Sequence, residues 1–548
     1  MKQGGSPAFL GTGRPPAMGT RGAVASSHYL ASHAGLEALK NGGHAVDAAI
    51  AMNATLAVVY NHMAGLGGDV FAQVWDVKTG EVAALNGSGR SGEKANIGLY
   101  KNEGMEQIPQ RGPLAANTVP GAVAGWRELH ERYGNIAWED LFSHAMHYAA
   151  EGFPVTGKFS DYIIQYASTL RQFSETAKVF FPEGLAPERG QVFRQPDLAE
   201  SFRLVAEEGP DTFYKGALAN KMLTALKAAG GILTENDFEE HTSDWVDPAR
   251  SDYRDVSVTE LPPNTQGLAA LMILNLIEGY DLNEIGDGTA DYYHLMTEAT
   301  KIVFSDRDRW VTDPEFVDIP LGQLVSKEYA EERRNMIDMV HAAQEQEIEP
   351  ARLKAAAGGD TTYMCAVDEE GNVCSLIQSV YHEFGSAFIP EGTGIFMQNR
   401  GSFFKLDPTH VNKLEPRKRT FHTIIPAMAF RDGLPLMAFG TMGGEGQPQT
   451  HAAMLTRVVD FGYNVQQAIE APRWLYGRTW GEESRTLKLE ARIPDSVASD
   501  LKRRGHDVER VDGWSQKMGH AQGILLHEDS ATMEAGADPR GDGVALAW

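Results

Sequence analysis

The 548-residue chain has two cysteines, Cys365 and Cys374, so it can build neither a disulfide scaffold nor a Cys-rich zinc site. Positive charge is scarce: 49 Lys and Arg stand against 74 Asp and Glu, a net charge of −25. Nucleic acid and anionic membrane surfaces recruit clustered Lys and Arg, so neither is an expected partner. Long apolar runs are missing too. The least polar stretch, residues 48–60, holds Asn53 and Thr55 and falls short of the roughly 20 residues that span a bilayer. The opening run MKQGGSPAFLGTGRPPAMGT has no secretory apolar core, and a cytoplasmic location is expected. There is no Walker A loop, no H-E-x-x-H and no G-x-S-x-G. Gly65-Leu66-Gly67-Gly68-Asp69 lacks the third glycine of a dinucleotide turn. No metal and no cofactor is expected.

What is present describes a loop-rich globular chain, with 57 glycines and 42% hydrophobic residues. HYLASHAGLEALK predicts a helix stopping at Asn41-Gly42-Gly43, and AVDAAIAMNATLAVVY a second helix, apolar on most faces and hence buried. Residues 120–340 read as mostly helical. Beyond residue 360 the texture turns to strand-like runs: TTYMCAVD, VCSLIQSV, GIFMQ, IIPAMAF and LPLMAFG. The helices NVQQAIEA and SVASDLKRRG follow. Sheets between helical layers predict a layered α/β sandwich. The shift at 360 marks a boundary between subunits rather than domains, because the later strands need the earlier helices to cover them.

That boundary carries the chemistry. A loose polar arm, residues 342–360, ends in Gly358-Gly359-Asp360, and a strand opens at Thr361. Cutting the 360–361 bond would give Thr361 a nucleophilic hydroxyl and a free α-amine on one residue. An α-amine titrates near pH 8, which suits a general base around neutrality. A five-residue turn over 368–372 would set Thr361 opposite Ser379 on one face of the hairpin. It would also point Cys365 and Cys374 to opposite faces. His382-Glu383, at the hairpin's exit, reads as a buried histidine rather than a metal ligand.

The hairpin TTYMCAVDEEGNVCSLIQSVYHEFGS occurs together with NGGHAVDAAIA, GLGGD, NTVPGAVAGW, LPPNTQG, SDRDRWVTDPEF, GTMGGEGQPQT, EAPRW and ADPRG. In this order, over nearly the whole chain, the set resembles the γ-glutamyltranspeptidase family of N-terminal nucleophile hydrolases. The resemblance implies a four-layer αββα sandwich formed jointly by two subunits. It implies autoproteolysis between Asp360 and Thr361, giving a large subunit (1–360) and a small one (361–548), as one pair or a dimer of pairs. It further implies a ping-pong acyl-enzyme mechanism on Thr361. Ser379 falls where the family has a hydroxyl that orients the nucleophile, and Gly443-Gly444 match the oxyanion-hole pair, where backbone N–H groups meet the developing charge.

The family's grip on a γ-glutamyl head is altered. Its carboxylate-binding Arg is displaced by about two positions, to Arg90. The acidic pair that holds the ammonium falls at Ser402-Phe403, and the Ser pair near Lys418-Arg419. A polar position becomes Arg400, and an Asn becomes Tyr381. Negative charge is lost and positive charge gained, so the expected substrate is a small-molecule amide with an anionic acyl group lacking an amine. The pattern resembles the bacterial branch that includes oxamate amidohydrolase and transpeptidase-like cephalosporin acylases. Two alternatives remain open from sequence. One is a glutathione hydrolase or γ-glutamyltransferase with a different grip; the other is an unprocessed binding or structural homologue.

Overall fold

The computed structural model describes residues 12–344, 348, 360–477 and 484–548, with Asp360 by its backbone alone. Of the arm expected over 342–360, the rest lies outside the described residues. The helix Ala45–Val59 is the innermost of its layer. Its sequence is apolar all round, and every residue in it is buried. The helix before it, Tyr29–Lys40, ends where its sequence predicts, with Asn41 as cap and Gly42 at φ +86.

Two seven-stranded antiparallel sheets form the centre. One runs, in spatial order, Val544–Ala547, Ala23–Ser26, Asp360–Val367, Val373–Tyr381, Asp69–Asp76, Glu81–Gly87 and Asp244–Val246. The other runs Ala17–Gly19, Thr532–Ala537, Ala521–His527, Leu434–Thr441, Ala427–Arg431, Val256–Glu260 and Ala249–Tyr253. Between the sheets pack Phe71, Tyr363, Cys365 and Ile377 from the first against Met428, Ala438 and Ile524 from the second. The first sheet's other face, with Val70, Met364 and Leu376, packs on Ala45–Val59 and Ala122–Tyr133. The second sheet's outer face packs on Gly267–Ile277, Ala290–Trp310 and Gly446–Val459. The layers are therefore αββα, as the resemblance implied.

Each sheet interleaves strands from both sides of residue 360. Asp360–Val367 lies between Ala23–Ser26 and Val373–Tyr381, so either part of the chain alone would leave open strand edges and an uncovered apolar face.

Two local expectations are corrected. GIFMQ, residues 394–398, is irregular rather than a strand. Its backbone groups are met singly, for instance by Phe388, Ser386 and Gly67, so a short apolar run here is a buried loop. The mostly helical reading of 120–340 missed three strands over 244–260. They are short, and Asp244–Val246 and Ala249–Tyr253 are edge strands of opposite sheets. Such strands bury little and leave a weak alternation.

The hairpin register holds. Val367 pairs with Val373, leaving the five-residue turn 368–372. Cys365 then faces the space between the sheets and Cys374 the helical layer. Both thiols are free and buried, and burial pushes Cys365 up to about 12. A thiol reagent should react with neither cysteine in the native protein and with two per chain after denaturation without reductant. Fewer than two would mean a disulfide and a different register.

Candidate active site

Asp360 pairs with Tyr381 and Thr362 with Gln378, so Thr361 stands alone opposite Ser379 and Val380 in a bulge. Bulges of this kind re-aim side chains beside active sites. On the other edge, pairing with Ala23–Ser26 begins only at Met364, so no strand covers Thr361 there. Thr361 is fully buried, yet its Oγ1 has no hydrogen-bond partner among the described residues. Thr362 Oγ1 beside it is likewise without a partner among the described residues.

Ser379 Oγ accepts from the Tyr381 backbone N–H at 2.8 Å and from Arg400 Nη2 at 3.2 Å. Tyr381 achieves this with φ +82, a conformation unusual for a bulky residue. Its ring is held by Phe403, with centroids 5.2 Å apart, and by the Arg400 guanidinium 4.3 Å from its centroid. Strain of this kind persists only where the surroundings over-determine it.

Arg400 is fully buried. Nη1 donates to Thr423 Oγ1 at 3.3 Å, while Nε has no partner. No carboxylate of the described residues lies within 4.0 Å of it. Burial lowers its pKa to about 10, which leaves it charged at neutral pH.

Of the cations singled out in the sequence, Arg90, Lys418 and Arg419 are held in ion pairs, and Arg400 forms none among the described residues. Lys418 Nζ pairs with Glu415 at 3.0 Å, and Arg419 with Asp244 at 2.5 Å. Arg90 sits beside Arg419 in a β-bridge, shares Asp244 at 3.3 Å and reaches Glu315 at 3.0 Å. The edge strand Asp244–Val246, unseen in the sequence pattern, delivers the acid that neutralises both arginines. Ser402 and Phe403 are buried and bring no carboxylate; Ser402 Oγ donates to Asn399 O.

Several neighbours escaped the sequence reading. Asp69 ends the GLGGD motif and lies opposite Ser379 in the sheet. Its Oδ1 accepts from Gly89 N, Gly121 N and Gln398 Nε2, at 3.0, 3.0 and 2.9 Å. Its Oδ2 lies 3.3 Å from His422 Nε2 without the alignment of a hydrogen bond. Burial, with the nearby Arg400 charge, lowers His422 to about 4, so its imidazole is neutral at pH 7. His382, also buried, is lowered to about 3 and is no cation either.

Gly443 and Gly444 follow the strand Leu434–Thr441, at φ +123 and +53, where side chains are strained. A Cβ on Gly440 would fall 2.4 Å from the Tyr363 ring, which sets this strand tightly against the start of the Thr361 strand. Gln266, from LPPNTQG, ties the two halves of the site together. Its Nε2 donates to Thr423 O at 2.7 Å and to Gly444 O at 2.9 Å, and its Oε1 accepts from Arg307 at 3.0 Å. Behind the glycine loop, Gly519 is so close that a Cβ on it would lie 2.2 Å from Met442 O. Arg473, from EAPRW, holds the Met518 and Gly519 carbonyls at 2.9 and 3.1 Å and pairs with Asp538 of ADPRG at 2.7 Å. The contacts therefore run from Ser379 through Arg400, Thr423 and Gln266 to Gly444. Replacing Gln266 with Ala should lower kcat on an amide substrate by about 10-fold or more with little change in KM, because it loosens positioning rather than binding. A raised KM at full kcat would instead make Gln266 a binding residue.

Comparison with known proteins agrees with this geometry. The family model "Gamma-glutamyltranspeptidase" matches residues 31–548. The glutathione hydrolase-like YwrD proenzyme of Bacillus subtilis (strain 168) is 46% identical over 529 residues, covering 96% of this chain and 99% of that one. The oxamate amidohydrolase proenzyme of Klebsiella pneumoniae is 38% identical over 536 residues, with the same coverage of both chains. Among solved structures, the cephalosporin acylase from Bacillus halodurans superposes with a TM-score of 0.91 at 37% identity, covering 100% of this chain and 99% of the other. The chain belongs to the γ-glutamyltranspeptidase family.

Proposed function

We propose that the protein is a threonine amidohydrolase that cuts itself between Asp360 and Thr361 and then cleaves the amide of a small anionic acyl group. Arg400 carries this reading. It is a fully buried guanidinium that touches Ser379 and has a free Nε donor; no carboxylate of the described residues pairs with it, and Asp69 acts on it only from beyond ion-pair distance. A buried charge is strongly disfavoured without a counterion, and a substrate carboxylate is the counterion that fits a guanidinium fork.

In the precursor, Thr361 Oγ1 would attack the Asp360 carbonyl carbon and shift the acyl group from nitrogen to oxygen. Water would then hydrolyse that ester. The freed α-amine becomes the base, taking the Oγ1 proton as the hydroxyl attacks the substrate amide and passing it to the departing nitrogen. Gly443 and Gly444 would offer N–H groups to the oxyanion, each donor worth roughly 3 kcal/mol. Water would complete the cycle by hydrolysing the acyl-enzyme. The two subunits would stay together, because both sheets are built from strands of each.

The proenzyme names of the relatives support self-processing, and the name oxamate amidohydrolase supports an acyl group bearing a carboxylate. Ser402-Phe403 offers no carboxylate to a glutamyl ammonium. On a denaturing gel the wild type should therefore give two bands and Thr361→Ala one. The processed protein should release ammonia from oxamate, or amine from glutaryl amides, faster than it releases aniline from γ-glutamyl anilide. Fast γ-glutamyl release with neither other activity would overturn the substrate assignment, and a Thr361→Ala chain that still splits would overturn the nucleophile.

Arg400 offers a second test. Arg400→Met keeps the reach of the side chain and removes the buried charge. Thermal stability should hold or rise, while kcat/KM on carboxylate-bearing amides should fall by roughly 100-fold, the scale of a buried ion pair. A loss of stability with unchanged kinetics would make Arg400 structural.

A further inference from the structure

A second group of side chains lies away from Thr361, on the helical layer over the first sheet. His33 and Glu37 are exposed and one turn apart on the helix Tyr29–Lys40, so both point from the same face. His144, partly exposed, comes from the neighbouring helix Ser143–Ala150. Each of the three offers one ligand atom, and these atoms all lie within 4.8 Å of one another. His144 Nε2 is 2.8 Å from a Glu37 carboxylate oxygen, and the His33 and His144 rings meet edge to face with centroids 5.3 Å apart.

The donor set is two imidazoles and one carboxylate, a combination that suits zinc and its divalent neighbours. Solvent exposure leaves room for water to complete the coordination sphere. No Lys or Arg of the described residues forms an ion pair with Glu37, whose one ion-pair partner among them is His144. A chain of net charge −25 also favours a cation over an anion at its surface.

The other cluster of this composition makes an instructive contrast. His294, Glu298 and His506 are buried, and their ligand atoms also lie within 4.8 Å of one another. There every group is already served. His506 Nε2 and His294 Nδ1 share a hydrogen bond at 2.8 Å, and His294 Nε2 meets Asp338 O at 2.7 Å. Glu298 takes Lys301 Nζ at 2.8 Å on one oxygen and Ala343 N at 2.9 Å on the other. A lysine ammonium already fills the place a cation would take, so this cluster serves as a buried clasp.

We propose that His33, Glu37 and His144 form a surface site for a divalent transition-metal ion, with Zn²⁺ as the probe, linking the helix Tyr29–Lys40 to the helix Ser143–Ala150. Binding replaces the His144–Glu37 hydrogen bond by metal–ligand bonds and releases any proton on the imidazoles, so it weakens in acid. The site stands apart from the Thr361 machinery and needs no reading of that machinery.

The test is calorimetric titration of ZnCl₂ into chelator-stripped, tag-free processed protein at neutral pH. One ion per chain should bind at low-micromolar dissociation constant, with a rise of a few degrees in Tm. His144→Ala and His33→Ala, both surface changes that leave the core intact, should each weaken binding by roughly 10- to 100-fold without altering the two-band gel pattern. A dissociation constant above about 1 mM overturns the site. Binding undiminished in both variants does so as well, since it would place the zinc elsewhere.

Discussion

The register of one hairpin governs the rest of this structure. The five-residue turn at 368–372 and the bulge at Thr361 decide which side chains of Asp360–Val367 face the helices and which face the second sheet. A slip by one residue would move Cys365 or Cys374 into the wrong core and turn Ser379 away from Thr361. The register is fixed from both sides, because Val373–Tyr381 is itself paired residue for residue with Asp69–Asp76, ending at Ser379 opposite Asp69. Asp69, Ser379 and Thr361 are therefore placed by one ladder. The same ladder argues for folding before cutting. The strand Asp360–Val367 finds its neighbours in residues 23–26 and 373–381, so both parts of the chain must be assembled for Thr361 to reach its position.

Much of this was legible in the sequence because it is local. The strand-like runs TTYMCAVD and VCSLIQSV, with the turn residues between them, mark the hairpin. The evenly apolar AVDAAIAMNATLAVV identifies a buried helix, and Asn41-Gly42-Gly43 its predecessor's end. The parts that escaped depend on distant partners. Gln266 is 157 residues from Thr423 and 178 from Gly444, and nothing in LPPNTQG states that its amide joins them. His422 and Thr423 sit just beyond Lys418-Arg419, inside a run whose charge draws attention to the wrong pair. The strand Asp244–Val246 is only three residues long, yet it supplies the carboxylate that removes Arg90 and Arg419 from the list of uncompensated cations.

The motifs EAPRW and ADPRG acquire a physical role from the same contacts. Arg540 binds Glu490 through Nε at 2.6 Å and Nη2 at 2.8 Å, and it also contacts Asp538, which in turn holds Arg473. Arg473 spends its donors on the carbonyls of Met518 and Gly519, directly behind Met442 and Gly443. The glycine loop is thereby braced through Gly519, where a Cβ would lie 2.2 Å from Met442 O. A buried, fully paired ionic network supports it from behind without entering the site.

Arg540 and Arg400 show how burial acts on a guanidinium with and without carboxylates paired to it. Both guanidiniums are fully buried, and burial works against the charge of each. For Arg540, Asp538 and Glu490 outweigh that cost and hold its pKa above the ordinary value. Arg400 has hydroxyls and a tyrosine face in place of carboxylates, and it falls to about 10. Hydroxyl oxygens accept hydrogen bonds but do not cancel a charge. Among the described residues no carboxylate pairs with Arg400; Asp69, whose charge reaches it, spends Oδ1 on Gly89, Gly121 and Gln398. Arg400 also donates to Ser379 Oγ, so the position of that hydroxyl depends on the same buried guanidinium.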